Sequence, residues 1–179
     1  MITIRRYEES DAQSAGQLIA DTFSDFNLSF ASPAQRDRFL GPFRYARSVD
    51  KNHQEAIARV IRSEMVFVAE VNMELAGILR GRTGRLASLF VRGDYHRQGI
   101  GRMLVSRFEE ECVGKGVTEV KVAATLYAVP FYLRMGYTRT TGVRSGSSFD
   151  GRGLPYQPMK KDLSSTIKGM PDDKRGRIR

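Results

Sequence analysis

The sequence predicts an α+β domain, and two patterns carry this prediction. Three β-rich runs follow one another between residues 65 and 91, as expected of adjacent antiparallel strands. A helical segment and another strand come next. A strand, a helix and a strand in that order predict a right-handed crossover with parallel pairing of the two strands.

Length and charge limit the domain organisation. A chain of 179 residues is expected to form one domain. The net charge is +9, and the last twenty positions carry seven basic residues against three acidic ones. We therefore predict one domain over residues 1–163 and a basic, disordered extension over residues 164–179. A tail that steers an acidic partner is the alternative.

The composition disfavours several kinds of partner. Nucleic acid is not expected, because there is no helical basic stripe and no Trp. A membrane is not expected either, since no run approaches about eighteen apolar residues and the first residues indicate a strand. Cys112 is the single cysteine, so no disulfide framework is expected, and this favours a reducing compartment and a cytoplasmic location. His53 and His96 lack the cluster of further ligands that a metal site needs.

Short patterns predict the first strand and the first helix. Ile2 and Ile4 alternate with polar residues, which indicates a strand. Ser10 and Gln13 are spaced as a capping box, and the apolar period that follows predicts a helix to about Asp25.

Two more helices are predicted before the main sheet. Ser32 and Gln35 form a second capping box with Pro33 at the first helical position, and this helix should stop near Gly41. Asp50 can cap the next helix. Its expected buried positions are Ala56, Ile57, Val60 and Ile61.

Aromatic residues are frequent around these helices. They occupy positions 23, 26, 30, 39, 43 and 45. We expect the rings to pack between helices. The alternative is that some of them wall a ligand pocket.

The sheet should contain a tight hairpin. Met65–Val71 and residues 74–80 are rich in β-forming residues, and Asn72 in the short link tolerates a positive φ. Residues 86–91 form the third run, and the pair Gly93-Asp94 ends it. Residues 118–125 are predicted to be a strand, residues 137–143 and 154–163 to be a closing pair of strands, and residues 145–153 to be a loop.

An amphipathic helix follows the third run. Its apolar residues recur at helical spacing at Ile100, Leu104, Phe108 and Cys112.

The segment in front of this helix has the features of an anion site. Gly99 and Gly101 allow a ligand to approach the backbone closely, and the first N–H groups of a helix have no internal acceptor. The helix dipole, Arg97 and Arg102 add positive potential, so a diphosphate is the expected ligand. A dinucleotide fingerprint is excluded because Leu104 stands at the place of its third glycine, and the P-loop pattern is absent. A tight turn without a ligand is the alternative.

A second pattern lies at residues 125–137. It contains Thr125, Ala128, Phe131, Tyr132 and Gly136. With residues 96–101 it resembles the signatures of the GCN5-related N-acetyltransferase (GNAT) family. These are Arg/Gln-x-x-Gly-x-Gly/Ala before a long helix, and Asn-x-x-Ala-x-x-Phe-Tyr followed by Gly-Phe or Gly-Tyr. The resemblance covers roughly residues 2–163.

The resemblance implies a fold and a co-substrate. The fold is the acyl-CoA N-acyltransferase fold, a mixed and mostly antiparallel sheet of six to seven strands flanked by helices, with the coenzyme at the parallel strand-helix-strand unit. The co-substrate is acetyl-CoA, and no metal is implied. The residues implied to bind it are Leu89, Phe90, Val91, Arg97, Gln98, Gly99, Ile100, Gly101, Arg102, Thr125, Ala128 and Phe131.

Tyr132 is the implied general acid. A phenol with an ordinary pKa near 10 is a proton donor at neutral pH and can protonate the departing thiolate. A core tyrosine whose hydroxyl is merely satisfied is the structural alternative.

Three positions depart from the family pattern. His96 stands where arginine or glutamine is usual, and Thr125 replaces the asparagine that commonly binds the pantetheine arm. Ala87 replaces a strand glutamate that acts as the base in many members. Glu70 on a neighbouring strand is the candidate base, and a water chain is the alternative. The other carboxylates near these strands are Glu74 and Asp94.

The resemblance therefore predicts an N-acetyltransferase that moves an acetyl group from acetyl-CoA to the primary amine of a small molecule. A CoA-binding or regulatory module with weak turnover is one alternative, and a protein or peptide acetyltransferase is another. A homodimer is possible in such proteins.

Overall fold

The computed structural model describes residues 1–168, which contain eight strands and six α-helices. The strands are β1 (Ile2–Arg6), β2 (Met65–Val71), β3 (Glu74–Arg82), β4 (Arg85–Val91), β5 (Glu119–Thr125), β6 (Thr138–Arg139), β7 (Arg144–Ser148) and β8 (Gly151–Asp162). The helices are α1 (Ala12–Thr22), α2 (Pro33–Leu40), α3 (Lys51–Ile61), α4 (Ile100–Gly114), α5 (Val129–Arg134) and α6 (Ser164–Lys168).

All eight strands belong to one sheet. Their order is β1-β2-β3-β4-β5-β8-β6, and β7 pairs with β8. Strands β1 to β4 are antiparallel neighbours, whereas β4 and β5 are parallel and are joined by α4. This arrangement confirms the predicted α+β class and the parallel crossover. The strand β7 raises the count to eight, above the six to seven expected.

Helices cover both faces of the sheet. On one face, Leu104 and Phe108 of α4 are fully buried, and a Cβ on Gly81 would lie only 2.6 Å from the Phe108 ring. On the other face, Ile19 of α1 and Ile57 of α3 pack in a second apolar cluster. Truncating Leu104 or Phe108 to Ala would cost about 2–5 kcal/mol. The two layers hold the sheet, and with it the carboxyl ends of β4 and β5, in place.

Several predicted local signals are present as expected. Ser32 and Gln35 form the reciprocal capping box of α2, and Asp50 caps α3 through the N–H of Asn52 at 2.8 Å. The β2–β3 hairpin turns at Asn72 and Met73, which have φ values of 51° and 68°. Asn72 therefore adopts the positive φ that the sequence predicts.

The start and end of the first helix differ from the prediction. The capping box is formed by Glu8 and Asp11, not by Ser10 and Gln13. Asp11 is drawn into this role because its carboxylate also binds Arg5 of β1. The α-helix ends at Thr22, and the chain continues as a π-helix over Phe23–Asn27.

The predicted closing pair of strands is also wrong in part. Residues 145–153, predicted to be a loop, form most of the β7–β8 hairpin, and β6 is only Thr138–Arg139. Tertiary contacts stabilise this Gly- and Ser-rich hairpin. Ser148 Oγ donates to Phe39 O at 2.9 Å, and a Cβ on Gly41 would clash with the Phe149 ring.

The extension predicted after residue 163 begins with the short helix α6. The remainder of that prediction, residues 169–179, lies outside the described residues. No helix within residues 1–168 is long and apolar enough to cross a membrane.

Candidate active site

An opening in the sheet separates the ends of β4 and β5. The two strands pair only at Arg85↔Lys121 and Leu86↔Val122, although β4 continues to Val91. The remaining half of β4 keeps its pairing with β3, but no strand among residues 1–168 pairs with its other side. Ligands of sheets with parallel strands commonly bind where two such strands diverge.

The amino-terminal end of α4 faces this opening with unpaired donors. Gly99 has a φ of 86°, which an L-residue with a side chain rarely adopts. The first backbone bond of the helix runs from Met103 N to Gly99 O at 3.0 Å. Within the described residues, no backbone acceptor is recorded for the N–H groups of Ile100 and Gly101. These groups and the helix dipole favour an anion.

Positive side chains surround the same helix end. A cavity of about 890 Å³, here called the α4 cavity, is lined by Arg97, Arg102 and Arg134. No ion pair within residues 1–168 is recorded for any of the three. Their charges are therefore available to a ligand such as a diphosphate.

Both sequence patterns meet at the α4 cavity. A Cβ on Gly101 would lie 3.2 Å from the Phe131 ring, so a larger residue would push α4 away from α5. Ala128 also lines the cavity. The glycine of one pattern and the phenylalanine of the other therefore pack against each other.

A second cavity lies on the other side of the opening. It measures about 470 Å³ and is here called the hairpin cavity, because the β7–β8 hairpin closes one side of it. Its walls include Phe23, Phe43 and Phe149, together with Ala87 and Ser88 of β4. Some of the aromatic residues around the first helices thus wall a pocket, which was the alternative interpretation of that pattern.

Four residues line both cavities and mark the place where they adjoin. They are Asn27, Leu89, Ala128 and Tyr132. A group that passes from a ligand in one cavity to a ligand in the other would be transferred beside these side chains.

Tyr132 is buried at this junction. Only 3% of the residue is exposed, and its ring packs edge-on against Phe131 and Tyr137 at 5.1 and 5.3 Å. Burial raises the pKa of Tyr132 well above its ordinary value. The phenol therefore stays protonated at neutral pH, and no hydrogen bond from its hydroxyl to a described residue is recorded. It is a buried donor beside both cavities.

Asn27 of the π-helix contacts Thr125, the residue that stands where the family motif usually has asparagine. Its Nδ2 donates to Thr125 Oγ1 at 2.5 Å. Because the Thr125 oxygen accepts this bond, its own O–H is free to donate to a ligand. Asn27 is not identifiable from the sequence, since nothing local connects it to Thr125. A π-turn is frequently found at functional sites, but it is not readable from the sequence.

The candidate base Glu70 lies outside both cavities. It is on β2, with β3 between it and β4, and its Oε1 accepts from Arg5 at 2.6 Å. Glu74 and Asp94 are exposed and lie near Arg92 at 3.3 and 3.4 Å. Neither cavity has an Asp or Glu among its described lining residues.

The ring of His96 turns back toward the strand. Its Nε2 is 2.8 Å from Val91 O, which assigns the proton to Nε2, and the ring packs on Phe26 at 4.6 Å. His96 thus closes the loop between β4 and α4, in addition to lining the α4 cavity.

The structure brings most of the implied coenzyme residues together. Leu89, Val91, Arg97, Gly99, Ile100, Gly101, Arg102, Ala128 and Phe131 line the α4 cavity. Phe90 and Thr125 line the hairpin cavity instead. Gln98 lines neither cavity, because its Nε2 donates to Asp94 O at 3.0 Å. The lining residues that sequence reasoning missed include Asn27, Tyr95, Tyr127, Pro130 and Arg134.

Within the described residues, no group of three or more His, Cys, Asp or Glu side chains is placed to hold a metal ion.

The fold and the arrangement of the two cavities are those expected of an acyl-CoA N-acyltransferase. Residues 40–163 match the model of the acetyltransferase (GNAT) domain family, and this chain belongs to that family.

Its relatives include proteins with and without an assigned role. It is 31% identical over 87 residues to the uncharacterized protein YyaT of Bacillus subtilis (strain 168), a match that covers 49% of this chain. The match spans 55% of YyaT, about half of that protein's length.

Solved structures share the fold. A GCN5-related N-acetyltransferase from Rhodopseudomonas palustris has a TM-score of 0.73 at 19% identity, over 90% of this chain and 95% of that one. The PaiA N-acetyltransferase from Thermoplasma acidophilum, solved in complex with coenzyme A, has a TM-score of 0.67 at 15% identity, over 90% and 99%.

Proposed function

We propose that this protein is an acetyl-CoA-dependent N-acetyltransferase that acts on the primary amine of a small molecule. The observation that carries the proposal is the junction of two cavities at Tyr132, one of which contains an anion site at the start of α4. The GNAT family assignment and a CoA-bound structural neighbour support the same conclusion.

The residues of the α4 cavity fit acetyl-CoA. The N–H groups of Ile100 and Gly101, with Arg97 and Arg102, suit a diphosphate. The edge of β4 beside Leu89 suits an extended amide-containing arm, because no strand of the described chain pairs with its backbone groups on that side. Bound there, acetyl-CoA supplies the thioester whose acetyl group is transferred.

Tyr132 serves the leaving group in this proposal. The amine nitrogen forms the new N–C bond while the thioester C–S bond breaks, and the phenol donates its proton to the departing sulfur. A raised pKa suits this role, because the proton stays on Tyr132 until negative charge develops on the sulfur. Solvent then returns a proton to the phenolate.

The proton of the attacking amine goes to water in this scheme. Neither cavity offers a carboxylate among its described lining residues, and Ala87 occupies the place of the usual glutamate. The amine must therefore bind in its neutral form or lose its proton through ordered water. Activity should rise with pH until the acceptor amine is unprotonated.

A CoA-binding module with little turnover is the second candidate. The same absence of a carboxylate from the described linings of both cavities favours it. In that case acetyl-CoA binds, but no amine is acetylated at a rate above the solution reaction.

Calorimetric titration with acetyl-CoA, CoA and NAD tests the binding half of the proposal. Saturable binding of both CoA species without binding of NAD is expected. Failure to bind either CoA species would refute both candidates. A screen of primary amines, with free thiol measured over time, then separates the enzyme from the module.

A further inference from the structure

The hairpin cavity contains a guanidinium that has no carboxylate partner among the described residues. Arg80 of β3 lines the cavity, and its recorded bonds go only to main-chain oxygens, from Nε to Ile61 O at 2.9 Å and from Nη2 to Val60 O. Burial lowers the pKa of Arg80, as expected for a desolvated cation. An anion that enters the cavity would stabilise this partly buried guanidinium.

A serine hydroxyl beside Arg80 is also unsatisfied. Ser88 is the cross-strand neighbour of Arg80, and its buried Oγ has no hydrogen-bond partner among the described residues. The pair lies next to a bulge, where Gly81 faces Leu86 and Ala87 has no partner on β3. Bulges re-aim side chains and occur next to active sites. A buried hydroxyl without a partner indicates a ligand that would satisfy it.

Arg85 adds a second positive charge to the same wall. It is exposed at the start of β4, lines the cavity, and has no ion pair recorded within residues 1–168. No described residue lining this cavity is acidic. A polycationic amine would therefore meet two like charges there and no counter-charge, which disfavours it.

We propose that the acceptor is a primary amine that also carries an anionic group, a carboxylate or a phosphate, and that Arg80, Arg85 and Ser88 bind this group. The inference rests on the proposed function, because it assigns a substrate class to the same site. The amine of the acceptor lies toward Tyr132, and the aromatic walls of the cavity suit an apolar substituent.

Matched pairs of amines test the substrate class. L-phenylalanine is compared with L-phenylalaninamide, and phosphoethanolamine with ethanolamine, each with acetyl-CoA and with the acetylated product measured by mass spectrometry. The anionic member of at least one pair should have a kcat/KM higher by about tenfold or more, as a charge-assisted contact provides. The pair that responds identifies the carboxylate or the phosphate. A neutral member that reacts as well as its anionic partner in both pairs would overturn the inference.

A binding measurement makes the test independent of turnover. Phenylpropionate and phenylpropionamide lack an amine, so they report binding alone by the thermal shift of the CoA-loaded protein. The carboxylate should raise Tm more than the amide. The inference would be overturned if phenylpropionamide raised Tm at least as much as phenylpropionate, and ethanolamine at least as much as phosphoethanolamine. This result would count even where no amine is acetylated.

Three variants assign the effect to the cavity. Arg85→Gln changes an exposed side chain and should fold normally, and Arg80→Lys keeps the charge but loses the fork of donors. Both should reduce the preference for the anionic probe. Arg82→Gln removes the charge of an exposed residue that does not line the cavity. This control variant should therefore prefer the anionic probe over the neutral one as strongly as the wild type does. A preference unchanged in both cavity variants would contradict the assignment. Absence of any acetylated product, with anion binding intact, would refute only the proposed function.

Discussion

Tyr132 and Tyr137 are two neighbouring buried tyrosines with different surroundings. Their rings are 5.3 Å apart, and burial raises the pKa of both. Only Tyr132 lines the two cavities, whereas Tyr137 lines neither. Burial and a raised pKa therefore do not identify the acid by themselves. The position of Tyr132 in the lining of both cavities does.

Tyr132→Phe should lower kcat by about 100-fold or more, because it removes the proton donor to the departing sulfur. The dissociation constant for acetyl-CoA should change little, since the ring and its packing remain. Thiol release at saturating acetyl-CoA measures the first quantity and calorimetry the second. Tyr137→Phe is the matched control and should keep the wild-type kcat. Equal kcat values in the two variants would remove Tyr132 from the mechanism.

Asn27→Ala should weaken acetyl-CoA binding by about fivefold to tenfold. The variant loses the amide that orients the Thr125 hydroxyl, a contribution of about 1 kcal/mol. Calorimetric titration measures the change. Asn52→Ala, at an exposed position of α3 remote from both cavities, is the control. Wild-type affinity in Asn27→Ala would show that Thr125 needs no support from the π-helix.

At the scale of residues, the sequence predicts what lies inside one motif and misses what crosses between segments. Gly99, Gly101, Phe131 and Tyr132 were found from spacing and resemblance, and the structure brings them to one site. Asn27 was missed because it is 98 positions from Thr125. Glu70 was selected because it lies on a neighbouring strand, but strand order and Arg5 keep it away from the cavities.

Helix α4 places its amino terminus at the opening between β4 and β5. Gly99 is in a left-handed conformation, and a Cβ there would meet no atom within 4 Å. Glycine is therefore favoured at position 99 by the backbone conformation, and not by a lack of room for a side chain. Gly114, in the last turn of the same helix, also has open space around it.

Gly99→Glu should abolish detectable acetyl-CoA binding, because the new carboxylate competes for the free N–H groups and repels the diphosphate. The left-handed backbone adds a stability cost of about 1–2 kcal/mol, which leaves the protein folded. Calorimetry and circular dichroism measure the two effects. Gly114→Glu makes the same change of charge away from the site and should bind normally. Tight binding by Gly99→Glu would place the diphosphate elsewhere.

The Arg5–Asp11 pair fixes the start of the first helical segment against β1. Burial would raise the pKa of Asp11, but hydrogen bonds from Arg5 and from the Glu8 N–H hold it below its usual value. A carboxyl with a lowered folded pKa contributes stability above its unfolded pKa of about 3.9, and this contribution is lost as the pH falls through the folded value.

Asp11→Asn should therefore cost about 1–3 kcal/mol near pH 7, and the difference from wild type should shrink below about pH 4. Urea unfolding at about pH 7 and about pH 3 measures it. Asp21→Asn breaks the exposed pair with Arg47 and should cost less than about 1 kcal/mol. A penalty of the same size at both pH values for Asp11→Asn would contradict the ionic origin.

At the scale of elements, periodic and capped segments were predictable. Helices α2 and α3 and the β2–β3 hairpin follow their local signals. The β7–β8 hairpin was not predictable, since its composition is typical of a loop and its stability comes from contacts with Phe39 and Gly41. The π-helix was missed for the same reason.

At the scale of the whole molecule, the charged side chains among the described lining residues of both cavities are all positive. Arginines line both cavities, and no described lining residue is acidic. Part of the net charge of +9 therefore lies where anionic ligands are proposed to bind.

Removal of residues 169–179 separates the small-molecule proposal from the protein-acceptor alternative. This segment carries four of the basic residues. The truncated chain should keep acetyl-CoA binding and full activity on a small amine, because the described residues that line the cavities lie within residues 19–156. Calorimetry and thiol release measure both. Activity that disappears on a protein substrate but persists on small amines would favour recruitment of a protein by the tail.

The most direct test of the account is whether the purified protein converts acetyl-CoA and a primary amine into the acetylated amine and free CoA. The acetylated amine, measured by mass spectrometry, and free CoA, measured by thiol release, should accumulate in equal amounts. Tyr132→Phe should lower this rate, and Tyr137→Phe should not. Saturable acetyl-CoA binding without acetylated product from any of the amines would contradict the account and leave a CoA-binding module.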